Sequence, residues 1–208
     1  MTTGNPQYET STGPARTGPT RVVIAEDEAI IRLDLRETLQ EEGYEIVGET
    51  GRGDVALELI RQLVPDIAIL DIKMPGMDGV SVAKQLQSDP VCAVLLLTAF
   101  SGRDVVEQAR DAGVHAYIVK PFQKSDLVPG IEMAIGRFAD MRSMADEKEL
   151  LEDRLESRKL VDRAKGILID DYAMSEQTAF SFIQHTAMGN RERMKAVAQR
   201  IISGELKP

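Results

Sequence analysis

From Arg21 onward the chain alternates short β-branched apolar runs with amphipathic stretches long enough for helices, and this alternation restricts the fold more than any other feature. The runs are Val22 to Ala25, Ile46 to Val47, Ile67 to Leu70, Ala93 to Leu97 and Ala116 to Val119. Near-continuous apolar strands such as Ala93 to Leu97 require burial on both faces, which a parallel sheet flanked by crossover helices supplies. The expected fold class is α/β, a doubly wound five-stranded parallel sheet. Several helix ends are readable where glycine or proline interrupts the pattern: Glu28 to Glu42 stops at Gly43, Asp54 to Leu63 before Pro65, and Arg103 to Asp111 at Gly113. A further helix begins near Ser125, accommodates Pro129 in its first turns and continues beyond Arg137. Along it Ile131, Ala134, Phe138, Met141 and Ala145 follow a 3-4-3-4 spacing, which fits a short coiled-coil seam or a helix packed on its own domain.

The two ends differ from this body. Met1 to Thr20 is dominated by Thr, Gly, Pro, Ser and Asn without apolar periodicity and is expected to be a disordered tail. Leu155 to Pro208 contains no strand pattern. Leu155 to Asp170 prolongs the long helix, Ser175 caps a second helix running through Met188, and Gly189-Asn190 provides a stop and a new cap for a third, to about Ser203. The expected division is a tail over 1–20, the α/β domain over 21–138, a helical linker over 139–154 and a small all-α three-helix domain over 155–208.

Composition narrows the function classes. No apolar run approaches the roughly 20 residues of a membrane helix, and the first residues lack the basic-then-apolar pattern of a signal peptide. With Cys92 the single cysteine, no internal disulfide argues for export, so a cytoplasmic setting is expected. Aromatic content of 4% without tryptophan disfavours a carbohydrate cleft or an aromatic stacking platform. Net charge is −9, unevenly spread: residues 1–154 hold 16 basic and 27 acidic groups, residues 155–208 hold 9 and 7. The C-terminal segment is thus the part that approaches a polyanion with least self-generated repulsion.

Ligands of an open parallel α/β sheet bind outside the carboxyl ends of the strands. There the first strand ends in Glu26-Asp27, the third in Asp71, the fourth in Thr98 and the fifth in Lys120-Pro121. Any one of these carboxylates alone reads as a solvated surface acid. Three together repel one another unless a cation intervenes. Oxygen ligation without Cys or clustered His favours Mg2+ over zinc, and Mg2+ typically shares a phosphate with one or two carboxylates. Lys120 supplies a second positive charge and Thr98 a hydrogen bond, so the set suits phosphoryl transfer with Asp71 as nucleophile. A phosphatase of the haloacid-dehalogenase type would want a second carboxylate two residues after the nucleophile, where this chain has Lys73. A switch is therefore expected rather than an enzyme.

Glu26-Asp27, Asp71-Ile72-Lys73-Met74-Pro75-Gly76-Met77-Asp78-Gly79, Thr98-Ala99 and Lys120-Pro121-Phe122, in that order and at these separations, resemble a response-regulator receiver domain of flavodoxin-like fold. The resemblance implies phosphotransfer from a sensor histidine kinase to Asp71. It implies Mg2+ held by Asp27, Asp71 and the backbone carbonyl of Lys73, with Glu26 acting largely through metal-bound water. It further implies that Tyr117 is the aromatic that follows Thr98 toward the phosphate, and that the Lys120-Pro121 bond is cis.

In the C-terminal unit His185, like His115 in the sheet domain, reads as packed or exposed rather than catalytic, Cys92 as a small core residue, and Met174, Met188 and Met194 as core filling. Basic groups at helical spacing remain: Arg158 and Lys165, Arg191 and Lys195, Arg193 and Arg200. Ser157-Arg158, Ala164-Lys165-Gly166-Ile167-Leu168, Ser175-Glu176, Ala179-Phe180 and Ala187-Met188 resemble the ANTAR domain pattern, although Met194 and Ala196 replace the leucine and aspartate common there. The combination is similar to the mycobacterial phosphorylation-dependent antitermination regulators. It implies binding of RNA stem-loops in nascent transcripts by a homodimer formed on phosphorylation, with Arg158, Lys165, Arg191, Arg193 and Lys195 as RNA-contact candidates. A DNA-binding helix-turn-helix and a purely protein-binding relay are the alternatives. Ala187-Met188-Gly189-Asn190 lacks the turn spacing of the helix-turn-helix.

Overall fold

The computed structural model describes residues 18–99 and 103–208, without the side chains of residues 103–106. Most of the expected N-terminal tail therefore lies outside the described residues. At its end, the Thr20 carbonyl accepts the Glu45 amide at 2.9 Å. Five strands follow: β1 (Arg21–Ala25), β2 (Glu45–Thr50), β3 (Ile67–Asp71), β4 (Ala93–Thr98) and β5 (Ala116–Val119). They form one parallel sheet in the order β2-β1-β3-β4-β5. Between them lie α1 (Ala29–Glu41), α2 (Gly53–Leu63), α3 (Gly79–Gln87) and α4 (Arg103–Asp111). After β5 come α5 (Lys124–Tyr172), α6 (Glu176–Asn190) and α7 (Met194–Ile202).

Alternate side chains along each strand point to opposite faces. Val23, Ala25, Ala68, Leu70, Val94 and Leu96 bury against α2, α3 and α4, whereas Val22, Ile24, Ile67, Ile69, Leu95 and Leu97 bury against α1 and α5. Both faces of β3 and β4 are covered, as the continuous apolar runs require. Each fully buried Leu or Ile contributes about 1.5–3 kcal/mol, so this double layer is the main force holding the sheet's strand ends in place.

Local signals set the helix limits. The α1 helix closes at Gly43, with φ of 86°, and α4 is followed by Gly113, with φ of 71°. Val64 caps α2 in the left-handed region, with φ of 45°, because the following proline disfavours continued helix. The start of α3 is fixed by Asp78, whose carboxylate accepts the Ser81 amide at 2.8 Å and the Ser81 hydroxyl at 2.7 Å. Past its other end Pro90 stands three residues beyond Gln87, where a proline commonly follows a helix.

The chain divides into two compact units, Met1–Asp140 and Met141–Pro208, and α5 passes through the boundary. In the first unit Ile131, Ala134 and Phe138 pack into the sheet domain's core. Met141 and Ala145 are exposed, so within this chain the packing of the 3-4-3-4 stripe on the sheet domain ends at Phe138. In the second unit the core comprises Val161, Ala164 and Leu168 of α5, Ala179, Ile183 and Ala187 of α6, and Val197, Ala198 and Ile201 of α7. Ser175 caps α6, accepting the Thr178 amide. The expected stop at Gly189-Asn190 is corrected: α6 runs through Asn190, and Arg191 takes the left-handed turn at φ of 56°. There the Glu192 amide bonds the Ala187 carbonyl at 2.9 Å, a closure that places the left-handed residue after Asn190, and the cap position of α7 falls to Arg193. Met174 and Met194 pack against this core, but Met188 does not, being 72% exposed.

His115 and Cys92 both belong to the sheet domain's interior. Burial pushes the Cys92 thiol up to about 12. His115 is held by a reciprocal pair: its amide donates to the Val94 carbonyl at 3.0 Å and its ring Nδ1 accepts the Val94 amide at 3.0 Å. Its ring meets Phe138 edge-on at 5.3 Å, and Arg137 donates to its carbonyl at 2.9 Å. Because Nδ1 accepts, the neutral proton sits on Nε2. Burial, reinforced by the Arg137 charge, lowers the His115 pKa. A depressed histidine binds its proton more readily in the unfolded chain, so stability falls as pH drops below the ordinary value of about 6.5. Urea titrations at about pH 7 and about pH 5.5 should show this loss in the native chain and less of it in His115→Asn, whose Oδ1 accepts the Val94 bond without titrating. Equal pH dependence in the two proteins would remove His115 as its source.

Candidate functional site

The first strand carries the chain to the carboxyl end of the sheet and turns there, leaving Glu26 fully buried and Asp27 exposed. The Glu26 amide donates to the Thr50 carbonyl at 3.0 Å, while its carboxylate accepts the Glu28 amide at 3.3 Å. Asp71, the last residue of β3, is 5% exposed, and its Oδ2 accepts the Lys73 amide at 2.9 Å. The following turn returns immediately, since the Gly79 amide donates to the Ile72 carbonyl at 2.9 Å. A Cβ on Gly79 would stand 2.2 Å from the Asp71 carbonyl oxygen, so only glycine allows α3 to start this close to the acid. Lys120 follows β5, its amide bonded to the Thr98 carbonyl at 2.7 Å, and its peptide bond to Pro121 is cis.

The Lys120 ammonium lies 2.6 Å from Glu26 Oε2 and 2.7 Å from Asp71 Oδ1. Burial works against its charge, yet the bonds and attraction from Asp71 and Glu26 outweigh it and hold the lysine above its ordinary value. Glu26 is raised, first by burial and further by the Asp71 charge, against the opposing pull of Lys120. One ammonium thus serves two acids. Asp27 completes a cluster in which one carboxylate oxygen each from Glu26, Asp27 and Asp71 lie within 4.8 Å of one another. The donor set is all oxygen, without histidine or cysteine, which fits a hard divalent cation such as Mg2+. These groups border a cavity of about 230 Å3 whose lining also includes Glu28, Lys73, Thr98 and Ala99.

The structure therefore brings Glu26, Asp27, Asp71, Lys73, Thr98 and Lys120 to one place. Tyr117 stands apart, 45% exposed beside Ile118 and Met133 in a separate depression. Arg32, not singled out from the sequence, donates from Nη1 to the Glu26 carbonyl and so ties α1 to the loop carrying two of the acids. Its spacing of six residues from Glu26 carries no motif that would have revealed this.

In the C-terminal unit the basic candidates separate into two kinds. Lys165 is bound by Asp162 at 2.9 Å and Glu176 at 3.0 Å, and Lys195 by Asp153 at 2.8 Å and by Glu156. Both lysines are raised by these bonds. Arg158, Arg191 and Arg193 remain exposed; Arg158 meets Asp162 only at 4.0 Å, and the Arg193 charge also acts on Asp153. Arg158 and Lys165 border one depression, whereas Arg191 and Arg193 lie outside it.

Comparison with known proteins matches residues 22–132 to the response regulator receiver domain and residues 149–202 to the ANTAR domain. The chain is 52% identical over 184 residues to the transcriptional regulatory protein PdtaR of Mycobacterium tuberculosis, covering 88% of this chain and 90% of that one. It is 37% identical over 112 residues to the chemotaxis protein CheY of Thermotoga maritima, covering 53% of this chain and 93% of the relative. Among solved structures, the NarL receiver domain of Mycobacterium tuberculosis superposes with a TM-score of 0.55 at 32% identity, over 57% of this chain and 98% of that one.

The shared ammonium has a measurable weight. Lys120→Met should lower the unfolding free energy at neutral pH by about 3 kcal/mol or more, the usual effect of stripping a buried charge of its partner. Glu26, already raised, protonates more readily in the folded than in the unfolded chain, so the variant should regain part of that loss toward about pH 5. Chemical denaturation at both pH values checks this; a variant as stable as the native chain at neutral pH would show the bridge to be dispensable.

Proposed function

Because the chain belongs to the response regulators, with an N-terminal receiver and a C-terminal ANTAR antitermination output, and is not a catalytic enzyme, we propose that it is a phosphorylation switch acting through Asp71. A sensor histidine kinase donates the phosphoryl group. An Asp71 carboxylate oxygen forms the new P–O bond as the P–N bond of the donor breaks, and the electron pair remains on the donor nitrogen. Asp27, Asp71 and the Lys73 carbonyl would hold Mg2+, with Glu26 acting through water; the ion supplies charge neutralisation for the transferring oxygens. Lys120 leaves Glu26 or Asp71 to pair with the new phosphate, and the Thr98 hydroxyl donates to the same group. Tyr117 then follows Thr98 inward from its exposed position.

The observation that carries this reading is the pairing of one ammonium with two acids inside an all-oxygen cluster. Adding a phosphoryl group to Asp71 gives Lys120 a more highly charged partner and so changes the local balance of forces. The receiver role is assigned to residues 21–138, the linker to 139–154 and the ANTAR role to 155–208. Phosphorylation promotes a homodimer that presents paired three-helix units to RNA stem-loops in a nascent transcript, and pairing raises effective concentration. No helix among the described residues is long and apolar enough to cross a membrane, and the proposed setting is the cytoplasm.

A gel-shift series with tandem RNA hairpins tests the switch. The native chain with a small-molecule phosphodonor and Mg2+ should bind more tightly than without them, whereas Asp71→Ala should bind equally weakly in both conditions. Equal binding in all four conditions would detach phosphorylation from the output. Preference for duplex DNA, or affinity without steep salt dependence, would favour the DNA-binding or protein-relay alternatives.

A further inference from the structure

The second unit carries an aromatic ring that its own core does not use. On α6, Ala179 and Ile183 are fully buried, but Phe180 between them is 42% exposed. It borders an open depression of about 500 Å3 together with Arg154, Ser157, Arg158 and Met194. The charges around this depression are unevenly satisfied. Asp153 is engaged by Lys195, and Asp162 by Lys165. That leaves the two arginines: Arg154 has no ion pair among the described residues, and Arg158 is 84% exposed with a single contact at 4.0 Å. Two under-compensated guanidinium groups one helical turn apart, beside an open aromatic face, form a surface complementary to an unpaired base and its flanking phosphates.

Resting on the reading that this unit binds RNA, we propose that Phe180 is the stacking platform for one unpaired loop base, with Arg154 and Arg158 neutralising the phosphates on either side. The low aromatic content of the chain disfavours an extended stacking surface, but one base needs only one ring. Paired bases within a duplex offer no free face, so the site selects a loop or bulge. Lys165 and Lys195 are positioning residues here: by occupying Asp162 and Asp153 they keep the acids from repelling the phosphates.

The test uses the full chain with phosphodonor and Mg2+, and RNA hairpins selected from a pool with randomised loops. In the selected hairpin, 2-aminopurine is placed at each loop position in turn. The native chain should quench one position strongly. Phe180→Leu, which keeps apolar volume, should abolish that quenching and weaken binding roughly 5- to 150-fold, while Phe180→Tyr retains both. Arg154→Gln and Arg158→Gln should each reduce the slope of log affinity against log salt by roughly 0.7–0.9. Circular dichroism of each variant controls for folding. Native affinity and quenching in folded Phe180→Leu, or the absence of any quenched position in the native complex, would overturn the stacking site while leaving RNA binding intact. Recovery of no hairpin from the pool by the native chain would overturn RNA binding and the stacking site together.

Discussion

A single ammonium held between two buried carboxylates is the interaction on which the sheet domain's chemistry turns. Glu26 and Asp71 sit at the ends of adjacent central strands, where both sheet faces are covered and little of either side chain is exposed. Like charges in such a place repel at short range, and neither is free to move away because each is anchored by the strand behind it. Lys120 resolves the conflict from the opposite side of the cavity. The arrangement is stable only while the negative charge near Lys120 stays at its present level. Any reaction that adds charge to Asp71 alters the position of least energy for that side chain, which is the physical content of a switch.

Much of this was legible in the sequence because strand ends in a parallel sheet are fixed by apolar runs. Ile67 to Leu70 predicts where Asp71 emerges, and Ala116 to Val119 does the same for Lys120. The convergence of Glu26, Asp27, Asp71, Thr98 and Lys120 follows from topology, and their common identity with the receiver pattern follows from order. Arg32 was not legible, since its contact is with a backbone carbonyl and leaves no compositional trace. The exposed setting of Tyr117 was equally hidden, because a sequence spacing defines a neighbour along the strand but not a rotamer.

The C-terminal unit was read correctly in helix number and less well in detail. Helical spacing places Arg158 and Lys165 near one another, yet only the tertiary arrangement shows that Lys165 reaches both Asp162 and Glu176. Lys195 finds acids about 40 positions earlier, a relation that no local pattern encodes. The Gly189-Asn190 pair offered a strong turn signal, but the closure of α6 on the Ala187 carbonyl prevailed and shifted the turn to Arg191. Met188, beside that closure, is turned outward instead of entering the core.

The glycines carry a lesson for anyone wishing to harden this scaffold. Gly53 and Gly79 each begin a helix, a place where exchanging glycine for alanine ordinarily reduces the disorder of the unfolded chain at little cost. Here a methyl group would fall 1.9 Å from the Met77 carbonyl oxygen and 2.2 Å from that of Asp71, so the manoeuvre would prise apart the loops that frame the acids. Gly136, Gly166 and Gly189 have nothing within 4 Å of a new methyl, and the same exchange there gains about 1 kcal/mol of helix preference each. Thermal robustness is accordingly available along the long helix and its C-terminal neighbours, and closed off at the mouth of the sheet.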